Sequence, residues 1–192
     1  MYQSNYGRFP SNPKLEMSNE GGSENKAIEI LKSVADCKSH SIMFHDNMSK
    51  ECHMWGLQGM KRLHRYKALL DFIDLNLLLH YCIDIFGVNI KPDFVDDIKS
   101  VNNIEEYLNY YREEEIDMRS KLGKLAYELS EMGYVEEHKM ICCYIPCITK
   151  QIEKANRWLQ DFGKADWDWA YIRVVDAKLH DKVKEKEEKY GY

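Results

Sequence analysis

The sequence predicts an all-α protein, a bundle of four long helices followed by a shorter fifth helix. Apolar residues recur at intervals of three and four positions along most of the chain, which is the spacing of one helix face. No run of alternating apolar and polar residues reaches the length of a strand. Only four prolines and ten glycines interrupt the 192 residues, and a chain of this length suits one domain.

The first helix is predicted from about Glu24 to Trp55, with Ser23 as its N-cap. Its apolar face also carries two polar residues, Ser41 and His45. Glycines at positions 56 and 59 predict a tight connection to a second helix that ends at Phe86, before Gly87.

The second helix is apolar enough over Ala68–Phe86 to suggest a membrane span, but its charges argue against one. This window contains three carboxylates: Asp71, Asp74 and Asp84. Carboxylates in a lone span are costly in lipid, so we expect a buried core helix and no membrane association.

The segment Val88–Asn103 has a different composition, with Pro92 and three asparagines, and its length predicts a crossover between two hairpins. A third helix is predicted from Ile104 to about Met132. A fourth follows from Val135 to Phe162 and is kinked at Pro146. The last helix begins near residue 166.

We divide the chain into three parts by composition. Residues 1–22 are rich in Asn, Ser, Gly and Pro with isolated aromatic residues, which predicts an arm that is flexible or binds a partner. Residues 23–183 form the helical bundle domain. Residues 184–192 form a charged, solvated tail.

Two antiparallel hairpins joined by one long crossover form the pattern of the ferritin-like superfamily, which this chain resembles. The string FHDNMSKECHMWGLQGMKRLHRY (Phe44–Tyr66) is similar to a segment of uncharacterised ferritin-like proteins of low-GC Gram-positive bacteria and their phages. The resemblance implies a ferritin-like four-helix bundle with a short additional C-terminal helix.

Metal enzymes of this superfamily place a Glu on each of two helices and Glu-x-x-His on each of the other two. This sequence departs from that pattern, because no Glu-x-x-His occurs in it. The residues three positions before His64, His80 and His138 are not acidic. A standard di-iron site is therefore not expected.

Several charged and imidazole groups nevertheless fall on the predicted inner faces of three helices. If the first hairpin turns near Gly56, facing positions sum to about 112, so that Ser41 faces Asp71 and His45 faces Lys67. The cluster expected at mid-bundle consists of His45, His64, Lys67, Asp71, Asp74 and Glu115.

This cluster has two principal interpretations. In the first it is a buried ion-pair network, with Lys67 paired to Asp71 and Glu115 paired to Lys67 or to a histidine. In the second it binds a metal ion (Fe, Mn or Zn) or another small polar ligand. Lys67 argues against a metal, because an ammonium group repels a cation. The candidate metal ligands are His45, His64, Asp71, Asp74 and Glu115.

Two functional hypotheses follow. A net charge of −5 disfavours specific nucleic-acid binding, and no phosphate loop, dinucleotide fingerprint or serine-nucleophile motif occurs, so an enzyme is not favoured. In the first hypothesis the chain is a non-catalytic interaction protein of bacterial or phage type. It has no cofactor and forms a homo-oligomer. It would bind a protein partner through its N-terminal arm or through Trp167 and Trp169. The alternative is an atypical ferritin-like metal-binding protein.

The predicted compartment is the cytoplasm. The N-terminal segment lacks the apolar stretch of a secretory signal. Cys37 and Cys52 would lie about 22 Å apart on one helix, too far to form a disulfide bond, so we expect reduced thiols.

Overall fold

The computed structural model describes residues 20–94 and 98–190, and over these ranges it contains helices and no strands. The fourth predicted helix is divided in two, so the described residues form six helical segments. In chain order they are α1 Glu20–Met54, α2 Gln58–Phe86, α3 Ile104–Glu131, α4 Val135–Cys142, α5 Ile145–Lys164 and α6 Trp169–Tyr190.

The hairpin of α1 and α2 is antiparallel, as predicted, and turns at Gly56. Gly56 adopts a φ of 74°, a left-handed conformation that a residue with a side chain rarely takes. At the far end Gly87, with a φ of 67°, stops α2, also as predicted. The predicted N-cap at Ser23 is wrong, because α1 begins at Glu20 and continues through Ser23.

The crossover between α2 and α3 is fastened to α1. The amide of Asp93 donates to the carboxylate of Asp36 at 2.8 Å, and the hydroxyl of Ser39 donates to the carbonyl of Asp93 at 2.6 Å. Ile90 and Val101 are buried at either end of the crossover. The crossover therefore contributes to the core as well as connecting the two hairpins.

The prediction of one kinked fourth helix from Val135 to Phe162 is wrong. The helix stops at Cys142 and restarts at Ile145, with Pro146 in the first turn of α5. Proline has no amide hydrogen for the carbonyl four residues earlier, and its ring clashes with that carbonyl, so a full break relieves both problems. Both α4 and α5 pack against α3.

The core consists of two apolar clusters separated by polar residues. One cluster lies toward the α1–α2 turn and includes Phe44, Leu63 and Tyr111. The other lies toward the opposite end and includes Leu75 and Met118. On α1, α2 and α3 the residues between these clusters are the predicted polar ones, so the charged groups form a layer across mid-bundle.

Helix α6 runs parallel to the first half of α2, in contact with it. Asp176 accepts hydrogen bonds from the amides of Gly59 and Met60, at 2.9 and 2.7 Å. These amides lie in the first turn of α2, whose own N-cap position, Leu57, supplies no side-chain bond. Residues 184–190, predicted as part of a solvated tail, continue α6 in the structure.

We expect Gly59→Ala to destabilise the protein by roughly 1–3 kcal/mol, because a Cβ at this position overpacks the contact between two helices. That atom would lie 2.0 Å from the backbone oxygen of Asp176. Gly123→Ala is the matched control, since Gly123 is also helical and has nothing within 4 Å of its Cβ position. Denaturant unfolding should show a lower free energy of unfolding for Gly59→Ala and a higher one for Gly123→Ala. Equal effects of the two substitutions would contradict the close contact between Gly59 and α6.

Beyond the end of α6, the outer face of α2 carries large apolar side chains that the described part of the chain leaves largely uncovered. Phe72, Leu77, Ile83 and Ile85 are each about half exposed, from 46% to 56%. No helix among the described residues is long and apolar enough to cross a membrane. Self-association through such a face stays a prediction.

The two tryptophans predicted to bind a partner differ in burial. Trp167 packs against Phe162, with ring centroids 6.4 Å apart, whereas Trp169 is 44% exposed. The other predicted partner-binding element, the arm at residues 1–22, lies outside the described residues except for its last three positions, which belong to the first turn of α1.

Candidate functional site

The polar residues at mid-bundle form one cluster, which we call the polar layer. As predicted, the side chains of His45, His64, Lys67, Asp71 and Glu115 are buried, with at most 7% of each residue exposed. Asp74 lies at the margin, its side chain one-third exposed. The full polar layer is Lys38, Ser41, His45, His64, Lys67, Asp71, Asp74 and Glu115.

The main ion pair of the polar layer involves Lys38, which the sequence analysis did not single out. Its ammonium lies 2.8 Å from a carboxylate oxygen of Asp71 and 2.8 Å from one of Asp74, and 4.0 Å from the ring centre of Tyr144. Burial alone would lower the pKa of Lys38, but the two carboxylates raise it above its usual value. The expected pairing of Asp71 with Lys67 is thus replaced by a pairing with Lys38.

Asp71 stays ionised in the interior. Burial opposes its charge, but Lys38 and Lys67 together hold its pKa well below the usual value. The hydroxyl of Ser41 donates to its second oxygen at 2.7 Å, which confirms the predicted facing of Ser41 and Asp71 across the first hairpin.

The two buried imidazoles, His45 and His64, contact each other directly. Their Nδ1 atoms are 2.9 Å apart, and Nε2 of His64 lies 2.5 Å from the hydroxyl of Tyr107. Burial lowers the pKa of His45 to about 3 and that of His64 well below its usual value. Both rings are therefore neutral at pH 7, and each carries one N–H.

This chain of bonds allows two opposite arrangements of hydrogens. In one, Tyr107 donates to His64, His64 donates to His45, and Nε2 of His45 carries a hydrogen. In the other, His45 donates to His64, His64 donates to Tyr107, and Tyr107 donates to the thiol of Cys52, with which it is hydrogen-bonded. Only the second arrangement leaves a lone pair on Nε2 of His45.

The ring edge of His45 that bears Nε2 points toward two carboxylates. The distance from Nε2 to Oε1 of Glu115 is 3.5 Å, and to Oδ2 of Asp71 it is 3.9 Å. Oε1 of Glu115 is buried and has no hydrogen-bond partner among the residues that the structure describes. Burial raises the pKa of Glu115 to about 7, although the charge of Lys67 opposes this shift.

A void of about 10 Å³ adjoins this pair of groups, close to the space that one water molecule needs. His45 and Glu115 line it, together with Ser41, Phe44, Met118 and the partly exposed His40 and Glu114. An unpaired buried oxygen next to a small void is an arrangement that a bound ion or water would complete.

The residues fit one ion better than two. Of the predicted ligands, Asp74 lies at the exposed margin, and both ring nitrogens of His64 are in hydrogen bonds. Each oxygen of Asp71 accepts one hydrogen bond, from Lys38 or from Ser41, and keeps a second lone pair. His45, Asp71 and Glu115 are the three that converge. Within the described residues, no three His, Cys, Asp or Glu side chains are already arranged to hold a metal ion. A site here would require these side chains to move closer together.

Sequence reasoning missed Lys38 and Tyr107, although a signal for each was present. Lys38 stands seven residues after Leu31 and seven before His45, which places it on the same helix face as both. Tyr107 precedes Tyr111 by one helical turn, and both rings are fully buried. Both side chains thus lie on apolar helix faces and supply hydrogen-bonding partners to the polar layer.

Solved structures with a similar fold include ferritins of low sequence identity. An open-pore ferritin from the hyperthermophilic archaeon Archaeoglobus fulgidus superposes with a TM-score of 0.73 at 12% identity, covering 82% of this chain and 98% of that one. An engineered closed form of the A. fulgidus ferritin gives 0.72 at 13% identity, covering 86% and 97%. A humanized archaeal ferritin gives 0.75 at 12% identity, covering 86% and 98%.

No protein-family model matches this chain, and no curated protein does. The likeness to solved structures therefore concerns the fold. The predicted ferritin-like four-helix bundle with an additional C-terminal helix is confirmed.

Proposed function

We propose that this protein is an atypical ferritin-like metal-binding protein that holds one divalent transition-metal ion in its polar layer. The ligands would be His45, Asp71 and Glu115, an imidazole and two carboxylates, a donor set suited to Fe, Mn or Zn. The unpaired, buried oxygen of Glu115, facing Nε2 of His45, is the observation that carries the proposal. The ferritin-like fold supports it.

The donor spacing supports a single ion. Ligands around a tetrahedral ion bonded at about 2.1 Å lie about 3.4 Å apart. Two of the three donor separations, from Nε2 of His45 to Glu115 (3.5 Å) and to Asp71 (3.9 Å), are near this value, and an inward shift of the side chains would complete the site. His64 and Tyr107 would then act behind the site, by accepting the Nδ1 hydrogen of His45 and so fixing the tautomer that ligates.

The charge of the polar layer can accommodate such an ion. Lys38 is neutralised by Asp71 and Asp74, and Glu115 has a pKa near 7, so it binds a proton in part of the population. A metal ion would displace that proton. Lys67 repels a metal ion, and the negative charge that Glu115 gains when it loses its proton offsets this repulsion.

We expect the protein, freed of metal with a chelator, to bind one equivalent of Mn(II), Zn(II) or, under anaerobic conditions, Fe(II). Glu115→Gln should weaken this binding about tenfold or more, because it removes a ligand while keeping the side-chain shape. Titration calorimetry should also show proton release that is greater below pH 7 than above it. Elemental analysis of protein purified without chelator gives an independent measure.

The matched control is Glu113→Gln, which makes the same change two positions away. The Glu113 side chain is largely exposed and does not line the void beside His45 and Glu115. Absence of stoichiometric binding of all three metals would sink the proposal, as would equal losses in the Glu113 and Glu115 variants.

The comparisons give no support to the first hypothesis, a non-catalytic interaction protein. Homo-oligomer formation, a cytoplasmic location, and the bacterial or phage origin implied by Phe44–Tyr66 stay predictions.

A further inference from the structure

A cleft of about 550 Å³ opens where the first turns of α2 meet α6, away from the polar layer. Its volume is within the usual range for a small-molecule site. Cationic side chains of α2 line one part of it and apolar side chains of α2 another, while α6 contributes an imidazole and a carboxylate. The lining includes Lys61, Arg62, Arg65, Tyr66, Leu69 and, from α6, His180 and Glu187.

The cleft has a charge opposite to that of the whole chain. Three cationic side chains and one carboxylate line it, whereas the chain carries a net charge of −5. A concave positive site on an acidic protein attracts small anions selectively, since the rest of the surface repels them.

One of the three cations already holds an internal carboxylate. Nε of Arg62 donates to Glu187 at 2.6 Å, and its NH1 group lies 3.1 Å from Nε2 of His180. Arginine can only donate, so Nε2 of His180 must accept this bond. Glu187 thus occupies the Nε and NH2 groups of Arg62, so an anion that enters the cleft must displace this carboxylate to reach them.

The other two cations are not neutralised in the same way. Lys61 contacts an imidazole nitrogen of His53 at 3.2 Å, not a carboxylate. Arg65 is exposed, and it forms no ion pair within the part of the chain that the structure describes. Beyond it, Leu69 is 38% exposed and Tyr66 is partly buried, so the positive end of the cleft continues into an apolar wall.

We propose that this cleft binds a small molecule that joins a phosphate or carboxylate group to an apolar body. The anionic group would lie between Arg62 and Arg65 and displace Glu187 from Arg62. The apolar body would pack against Tyr66 and Leu69. Glu187 therefore acts as an internal competitor, and its release from Arg62 accompanies binding.

The test is a titration of the full chain with phenyl phosphate and with benzoate, which share a ring and differ in the anionic group. Phenol and inorganic phosphate serve as the separate parts. We expect at least one of the two joined compounds to bind about tenfold more tightly than either part, because the cleft recognises both ends. The stronger of the two identifies the anionic group.

Three variants locate the site. Arg65→Glu should weaken binding about tenfold or more, while Arg157→Glu, the same charge change at an exposed position on α5, should leave it unchanged. Glu187→Gln should strengthen binding several-fold, since it removes the charge that competes for Arg62. Circular dichroism checks that each variant is folded.

Several results would overturn the proposal. One is the absence of binding by both compounds at millimolar concentration. Another is an equal loss in the Arg65 and Arg157 variants, which would indicate attraction by overall charge only. Unchanged or weaker binding by Glu187→Gln would refute the competition.

Discussion

Replacing Lys38 by methionine is expected to destabilise the protein by about 3–5 kcal/mol at pH 7, because it leaves a buried carboxylate without its cation. The ammonium of Lys38 lies 2.8 Å from both Asp71 and Asp74, and its side chain is only 5% exposed. Methionine keeps the length and the apolar stem. Denaturant unfolding, with chelator present, measures the loss.

The deficit should shrink as the pH falls. Without Lys38, burial acts on Asp71 with less opposition and raises its pKa, so that the carboxyl group takes up a proton at mildly acidic pH and needs no partner. Lys50→Met is the control, since Lys50 pairs with Asp46 at 2.7 Å on the surface, both largely exposed. The control should cost under about 1 kcal/mol. A similarly small loss for Lys38→Met would contradict the buried pairing.

Glu115→Gln is expected to gain stability, relative to the unsubstituted protein, as the pH rises. The pKa of Glu115 is about 7 in the folded chain, against an ordinary glutamate value of 4.5. A raised carboxyl pKa means that the folded state binds more protons between these values, so stability is greatest below pH 4.5 and is lost as the pH rises through 7. Glutamine does not ionise and escapes this loss of about 3 kcal/mol.

The measurement is the difference in unfolding free energy between variant and unsubstituted protein at pH 5 and pH 8, without metal. The imidazoles of His45 and His64 titrate in both proteins, so their contribution cancels in the difference. Glu113→Gln, at a largely exposed position nearby, should show no comparable change. A difference in unfolding free energy that stays constant from pH 5 to pH 8 would contradict the raised pKa of Glu115.

Helix positions were the most predictable feature of this fold. Helix α2 ends at Phe86 because Gly87 follows it. Helix α3 starts at Ile104 because the side chain of Asn103 caps it, accepting a hydrogen bond from the amide of Glu106 at 2.8 Å. Local chemistry of this kind is readable because partners lie within four residues. The register of the first hairpin was also predictable, since a short turn fixes which positions face each other.

The contacts that could not be predicted join residues far apart in the chain. The hairpin register places Lys38 opposite Asp74, since their positions sum to 112, but no pattern near Lys38 indicates that Asp71 shares its charge. The parallel course of α6 along α2 depends on the turn at residues 165–168, where Asp166 and Trp167 adopt positive φ angles. No local pattern predicts positive φ at these two residues, so the direction of the last helix was not accessible.

The approach of α6 to Gly59 also constrains how this sequence can change over time. A β-carbon at position 59 would push α6 outward, and the Asp176 carboxylate would then leave the amides that it caps. A substitution at position 59 therefore removes the cap that Asp176 provides, and a substitution at position 176 leaves the amide of Gly59 without its acceptor. Descendants of this chain that keep the same helix packing should therefore retain glycine at 59 for as long as they retain an acidic cap at 176.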